Sequence, residues 1–488
     1  MRQVTHNNAA PALRAHSASQ TGESLRNSGA MAEFRSEKDS LGEFKVPADA
    51  WYGIQTARAV ENFPISGRRP DRDFVRAHVL IKLAAARANQ AAGWLPSDKA
   101  DAIVAACERI LAGEFADQFV VDRFQAGAGT SHNMNSNEVI ANIASVALGG
   151  QRGEYRPVHP NDDVNMGQST NDTIPTAIRL ALLEKIPRLS TALEAMAAEF
   201  DAIAAREANT VKSARTHLQD AVPTTIGLEF GAYAWTLRRA ADRLAASQAG
   251  LAEIGLGGSA AGTALNTAPG YVERVAAELA TLTGKPIRVG NLVAQMQSMH
   301  DFAEVSGALR AIALELTRIS NDLRLLASGP RTGLGEIVLP PVQPGSSIMP
   351  GKVNPVMFEM LNQVCYQVLG QDAAVAYMVQ AGQLELNVMM PALGSALFDA
   401  CDWLEAAVRA ATEKNLRGLV VDRERCRAYI HASVGLATLL NPQIGYAAAA
   451  ELARESQKTG VPVRELVAAR GIMSAEAFDA LVLKAAAG

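Results

Sequence analysis

Apolar residues recur at helical spacing along most of this chain. From Asp73, the run DFVRAHVLIKLAAARANQAAG places them at i, i+3, i+4 and predicts a helix. A second, longer pattern covers 172–209, with Pro175 in its first turn and Pro187 as a kink position. A third covers 226–254 and ends in the glycine-rich GLGGSAAGT. In 301–328 the apolar stripe is Val305, Leu309, Ile312, Leu316, Ile319 and Leu323, and Ser328-Gly329-Pro330 stops it. The stretch 356–379 is apolar on almost every face, which predicts a helix buried all round. Only 44–63 breaks the pattern early, mixing turn formers with aromatics, and reads as a loop-rich segment.

Helices this long imply a bundle whose outer faces are covered by other subunits. The expected fold is all-α in the main, with three domains. The boundaries predicted are a disordered or non-native extension over 1–36, an N-terminal domain over 37–168, a central helical bundle over 169–418 and a small helical domain over 419–488.

Composition agrees. The 488 residues are 48% hydrophobic and 20% charged, as in ordinary globular proteins, and only 5% are aromatic. With a net charge of −4 and no basic block, nucleic acid is not an expected partner. No apolar run reaches membrane-spanning length, so no membrane partner is expected either. The four cysteines form no C-x-x-C pair and read as buried thiols in a reducing compartment, hence a cytoplasmic location. The eight histidines show no metal-ligand spacing, and no dinucleotide or Walker motif occurs, so neither metal nor cofactor is expected. The first thirty residues are polar, contain Arg and Ser, and are nearly free of acids. A transit peptide shares those traits. A disordered tail, or initiation at Met31, accounts for them as well, and MAEFRSEKDSLGEFKVP reads as a natural beginning.

Four polar strings interrupt the helical text: GAGTSHNMNSNE (127–138), HPNDDVNMGQSTND (159–172), SARTHLQDAVP (213–223) and PGSSIMPGKVNP (344–355). Buried polar groups need hydrogen-bond partners, so such strings either cap helices or hold a polar ligand. Four of them at helix edges favour a shared polar pocket. In the last string Asn354-Pro355 resembles an N-cap and first helical residue. Lys352 would then stand beside a helix N-terminus, a combination suited to a carboxylate. Gly345 and Gly351 would act as hinges of a lid. An ordinary interhelical loop capped by asparagine would use the same residues.

GSSIMPGKVNP resembles the signature of the aspartase/fumarase superfamily. GIQTARAVENF, GAGTSHNMNSNEVIAN, QSTND, RTHLQDAVP, NDLRLLASGPR and LNPQIGY resemble it too, in order, from about Leu41 to the end. The resemblance implies a homotetramer of mostly helical, three-domain chains. Each active site would take residues from three subunits and act on a small dicarboxylate. The chemistry implied is reversible anti elimination through an aci-carboxylate dianion, releasing fumarate. Carried over by motif position, Ser346 is the implied base, and Lys352 and Asn354 hold the dianion. Arg58 supports the substrate carboxylate. Thr130, Ser169, Thr170, Asn171, Thr216 and His217 match substrate contacts, and His217 and Glu359 match a pair assigned acid–base work. Ser347 carries no implied role beyond loop packing. A dead scaffold would be expected to lose Ser346, Lys352 or Asn354, and all three are present.

Spelling separates the branches. GAGTS, STND, LQDAVP and AGQLELN are similar to aspartases, implying deamination of L-aspartate to fumarate and ammonia. Hydration chemistry on L-malate is the second reading, and a lyase for another amino dicarboxylate the third. Two departures bear on this: Gly167 stands where a serine is usual, and Met390 where aspartases usually carry Glu and fumarases Lys.

Overall fold

The computed structural model describes residues 33–487, and the chain is mainly helical. The expectations for 1–32 lie outside the described residues. Order begins before the predicted boundary at residue 36. Strand β1 (Phe34–Asp39) pairs antiparallel with β2 (Gly42–Pro47), and Arg35 donates to the carbonyls of Pro47, Ala50 and Tyr52. The stretch 44–63 is likewise more regular than expected, holding β2 and helix α1 (Ile54–Asn62). A buried carboxylate makes α1 possible. Glu138 accepts from the backbone N–H groups of Gly53, Gln55 and Thr56 and from the Thr56 hydroxyl. These are the donors a helix start leaves unpaired, and their partner lies over eighty residues away, where local spacing gives no warning.

Helices α2 (Arg72–Ala91), α3 (Ser97–Leu111) and α4 (Thr130–Ala147) share a hydrophobic cluster that includes Val79, Leu83, Ile103, Ile140 and Ile143. Asp71 caps α2, its carboxylate accepting from Asp73 and Phe74 N–H. Helix α5 (Thr170–Arg206) runs 37 residues and continues through Pro187. A hairpin follows, β3 (Val211–Thr216) with β4 (Gln219–Thr225). The string SARTHLQDAVP is therefore a β-hairpin rather than a helix edge. Helix α6 (Ile226–Ala246), capped by Thr225, returns along α5 and stops short of the predicted 254.

The helices His300–Leu326, Val356–Gln380 and Met390–Ala411 complete the bundle. The six stripe positions expected on the first of these are all buried. The second is not buried all round within the chain. Phe358, Leu361, Cys365, Val368 and Val375 face the core, while Tyr366 and Tyr377 are 54% and 71% exposed. After Leu419, short helices enclose their own cluster around Leu436, Leu452, Val467 and Phe478. All four cysteines are free and buried. No helix among the described residues is long and apolar enough to cross a membrane.

One ion pair and two hydrogen bonds show the direction of the bundle. Asp301 meets Arg179 near the start of α5, Asp322 meets Tyr233 near the start of α6, and Asn362 meets Asn321. The 300–326 helix thus runs parallel to α5, and the 356–380 helix begins where it ends.

Candidate active site

The predicted site residues fall into two groups. The first lies at the start of α4 and α5. Ser169 caps α5 with a capping box: its Oγ accepts from Asn171 N–H, and Asp172 Oδ1 accepts from Ser169 N–H at 2.9 Å. Asp172 Oδ2 also accepts from Gly257 and Ser259 N–H, tying the glycine-rich loop to this end. Burial pushes the Asp172 carboxyl up to about 7. Asn171 Nδ2 donates to Ala260 O at 2.8 Å, which leaves its Oδ1 as the atom that can accept. Thr130 Oγ1 lies 3.3 Å from Thr170 Oγ1.

Arg58 on α1 and Thr130 line one cavity of about 480 Å³, together with Ser131, Tyr155, His159 and Asn161. Arg58 is already engaged. Its guanidinium binds Asp39 through Nε at 2.9 Å and Nη2 at 3.0 Å, and it donates to Gly42 O. Burial alone would raise the Asp39 carboxyl, but the bonds from Arg58 and Leu41 N–H hold it below its ordinary value. A substrate carboxylate reaching Arg58 shares the guanidinium with Asp39 or displaces it.

The second group lies at the far end. Ser346 is half-buried, and its Oγ accepts from Ile348 N–H at 3.2 Å and Met349 N–H at 3.1 Å. Two donors on a hydroxyl oxygen favour its deprotonated form. Asn354 does not cap the following helix, which starts at Val356 without a side-chain cap. Instead its Nδ2 donates to Gly345 O at 2.9 Å, while Gly345 N–H donates to Lys352 O at 2.7 Å. These bonds close the loop at its neck. A Cβ on Gly345 would come within 2.7 Å of Lys352 O, so Gly345 is a neck rather than a free hinge. Lys352 and Glu359 are exposed. Thr216 and His217 sit at the β3–β4 turn, also exposed, with His217 and Leu218 both at positive φ (53° and 60°). Two adjacent non-glycine residues in that region make a strained two-residue turn, a frequent mark of function.

Helix length separates the groups. At 1.5 Å per residue α5 is about 55 Å long, and the six residues of β3 span about 20 Å at most. The turn 207–210, closed by Thr210 N–H to Glu207 O, adds to that reach, and within one chain Thr170 and His217 stay at least about 20 Å apart. Ser346, Lys352, Asn354, Glu359, Thr216 and His217 do not line the Arg58–Thr130 cavity.

Sequence reasoning missed Lys82. It is fully buried on α2, and its Nζ donates to Asn133 Oδ1 (2.7 Å), Asn165 Oδ1 (2.9 Å) and Gln168 Oε1 (2.9 Å). The signal was present: a lysine inside VLIKLAAA, where the neighbouring pattern is core. Met390, the departure from the usual acid, is also fully buried, in a small void with Gly129, His132 and Ile174 at the Thr130 end. Gly167 has φ +71° and packs against Tyr271.

Family models match residues 42–370, described as a lyase, and residues 436–485, described as the fumarase C C-terminus. The chain belongs to the aspartase/fumarase superfamily. It is 48% identical to an aspartate ammonia-lyase of Pseudomonas aeruginosa, covering 90% of this chain and 93% of the relative. It is 49% identical to a class II fumarate hydratase of Halobacterium salinarum, covering 92% and 96%. Among solved structures, a cobalt-bound fumarate lyase:delta crystallin from Brucella melitensis aligns with a TM-score of 0.90 at 48% identity, over 93% of this chain and all of that one. Overall identity thus places the chain in the family of lyases without separating ammonia release from hydration.

Proposed function

We propose that this superfamily lyase converts L-aspartate reversibly to fumarate and ammonia, in a homotetramer whose sites combine the two groups of residues from different chains. Ser346 Oγ, as an alkoxide, takes a proton from the carbon beside the substrate's side-chain carboxylate. The electron pair moves into that carboxylate, giving a dianion held by Lys352 and Asn354. The pair then forms the double bond as the carbon–nitrogen bond breaks, and nitrogen leaves with its bonding pair as ammonia. Thr130, Ser169, Thr170, Thr216 and Arg58 bind the rest of the substrate, and His217 and Glu359 form the acid–base pair of the reverse direction.

The observation that carries the amino substrate is the orientation of Asn171. Its Nδ2 is spent on Ala260 O, so its Oδ1 is the atom left to accept from a ligand. An ammonium is purely a donor and fits an acceptor. The spellings STND and LQDAVP support the same branch. The second reading, dehydration of L-malate, is favoured by Met390, which offers no negative charge to an ammonium. Fumarate absorbance with each substrate in turn decides. The expected result is turnover of L-aspartate with little of L-malate; the reverse selects the hydratase, and inactivity on both points to a different amino dicarboxylate.

A further inference from the structure

Lys82 is a fully buried amine with three oxygen partners, none of them a carboxylate. An ammonium can only donate, so each partner must turn its amide oxygen towards it. That settles three amide orientations at once. Asn133 presents its oxygen to Lys82, so its Nδ2 is left to donate, to Thr170 Oγ1 at 3.2 Å and to Asn165 Oδ1 at 3.3 Å. Gln168 is held likewise, its Nε2 donating to Val164 O and Met166 O.

The consequence appears at Thr170. Its oxygen accepts from Asn133, so its own hydrogen is free to point elsewhere. Thr130 carries one hydroxyl hydrogen, and its shorter contact, 2.6 Å to Gly127 O, claims it. Thr170 is thereby left as the donor of the pair, beside Thr130, which lines the cavity. Carboxylates need donors, and a hydroxyl bond to a charged acceptor is worth more than one to a neutral group.

We propose that Lys82 is a positioning residue that, through Asn133, sets Thr170 as a hydrogen-bond donor towards a substrate carboxylate. This rests on the reading of Thr170 as a substrate contact. Burial pushes the Lys82 amine down to about 7, with the nearby Asp172 carboxylate acting against it, while burial keeps His78 and His132 neutral; the three amide oxygens accept from the amine in its charged form. Without that charge Asn133 can turn over, present its oxygen to Thr170 and draw the hydroxyl hydrogen inwards, leaving lone pairs facing the carboxylate.

The test uses the full chain and succinate, a dicarboxylate with nothing to eliminate, titrated by calorimetry. Lys82→Met and Thr170→Val are each expected to weaken succinate binding on the order of tenfold, as for one lost bond to a charged group. If Lys82 acts through Thr170, the double variant is no weaker than the worse single one. In turnover, Lys82→Met is expected to raise KM by a similar factor with kcat little changed. Asn133→Asp guards against misfolding, because it keeps the volume and gives Lys82 an ionic partner. It turns the group facing Thr170 into an acceptor and should weaken succinate similarly. Additive losses in the double variant, or unaltered succinate affinity in Lys82→Met or Asn133→Asp, would overturn the proposal. A wild-type protein that binds succinate but ignores L-aspartate would overturn the functional reading alone, since the relay is read from binding whatever group the substrate sheds.

Discussion

Two serines stand side by side at 346 and 347, and only one has an oxygen held by backbone donors. Ser346→Ala is expected to lower kcat on the order of 10²-fold or more with KM little changed, because it removes a proton acceptor and leaves ground-state contacts in place. Ser347→Ala is expected to be mild, and comparable kcat in the two variants would end the assignment of Ser346. Lys352→Ala should damage kcat and KM together, since its charge serves both the ground-state carboxylate and the dianion. A buried histidine contributes to the dependence of stability on acid. His132 stacks on Phe74 with ring centroids 4.4 Å apart, and both its nitrogens lack partners among the described residues. Burial holds its pKa down to about 3. The folded pKa lies below the unfolded one, so the unfolded chain binds the extra proton. Stability is complete above pH 6.5 and falls with acidification towards the folded pKa, by about 1.4 kcal/mol per pH unit for this one group. His132→Phe should flatten that slope in melting temperatures measured from pH 7 to pH 5; an unchanged slope would show that His132 is protonated inside the fold. The sequence made the serine and the lysine legible through their motif. It could not show which serine oxygen receives N–H bonds, because that depends on the turn the loop adopts at 346–349, nor that Lys82 lies at the centre of three amides, because those contacts join residues over fifty positions apart.

At the scale of elements, the long helices were legible because period and caps agree locally. Ser169 and Asp172 write a capping box, and Asp71 and Thr225 cap their helices by the usual residue types. The strands were not. β1 and β2 are short and half-exposed, and β3–β4 turns on His217-Leu218 in place of the Asn-Gly that marks a hairpin in sequence. Asn354 misled for a related reason: an asparagine before a helix has the chemistry of a cap, yet here its amide closes the neck of a loop. That neck makes a prediction. Gly345→Ala puts a Cβ into Lys352 O, so the neck must open. The bundle does not depend on it, and the expected result is a melting temperature within a few degrees of wild type with kcat lowered at least tenfold, in the manner of a small displacement of reacting groups. Normal turnover in Gly345→Ala would show that loop closure tolerates the wider neck.

Across the whole molecule, one chain holds every residue of the proposed site but does not bring them together in the described structure. Thr170 stands at the start of α5, while Ser346 precedes the helix that begins where the 300–326 helix, parallel to α5, ends, so the length of the bundle separates them. The exposed apolar surface supports the same conclusion. Tyr366 and Tyr377 on the 356–380 helix, with Leu314 and Leu325 on the 300–326 helix, are bare on one chain although their sequence is that of a core. A pattern of apolar residues tells that a face is buried, not by which copy, which is why all-round burial was read for a helix that its own chain covers on one side. If other copies supply the cover, they also supply the missing end of the site. At substrate concentrations well below KM, Thr170→Val is expected to retain about a tenth of wild-type activity and Ser346→Ala about a hundredth or less. Unfolded together and refolded as a mixture, they are expected to recover about a quarter of wild-type activity, because each site then draws an intact residue from each of two chains with even odds. The measurement is fumarate formation per site in the mixed oligomer, beside the separately refolded variants and a molar mass from light scattering. Recovery near that fraction, in a tetramer, is the expected outcome. Mixed oligomers that form and show no more activity than the mean of the separate variants would place Thr170 and Ser346 of the same chain in one site, and the separation of the two ends would then have to close by a rearrangement of the bundle itself.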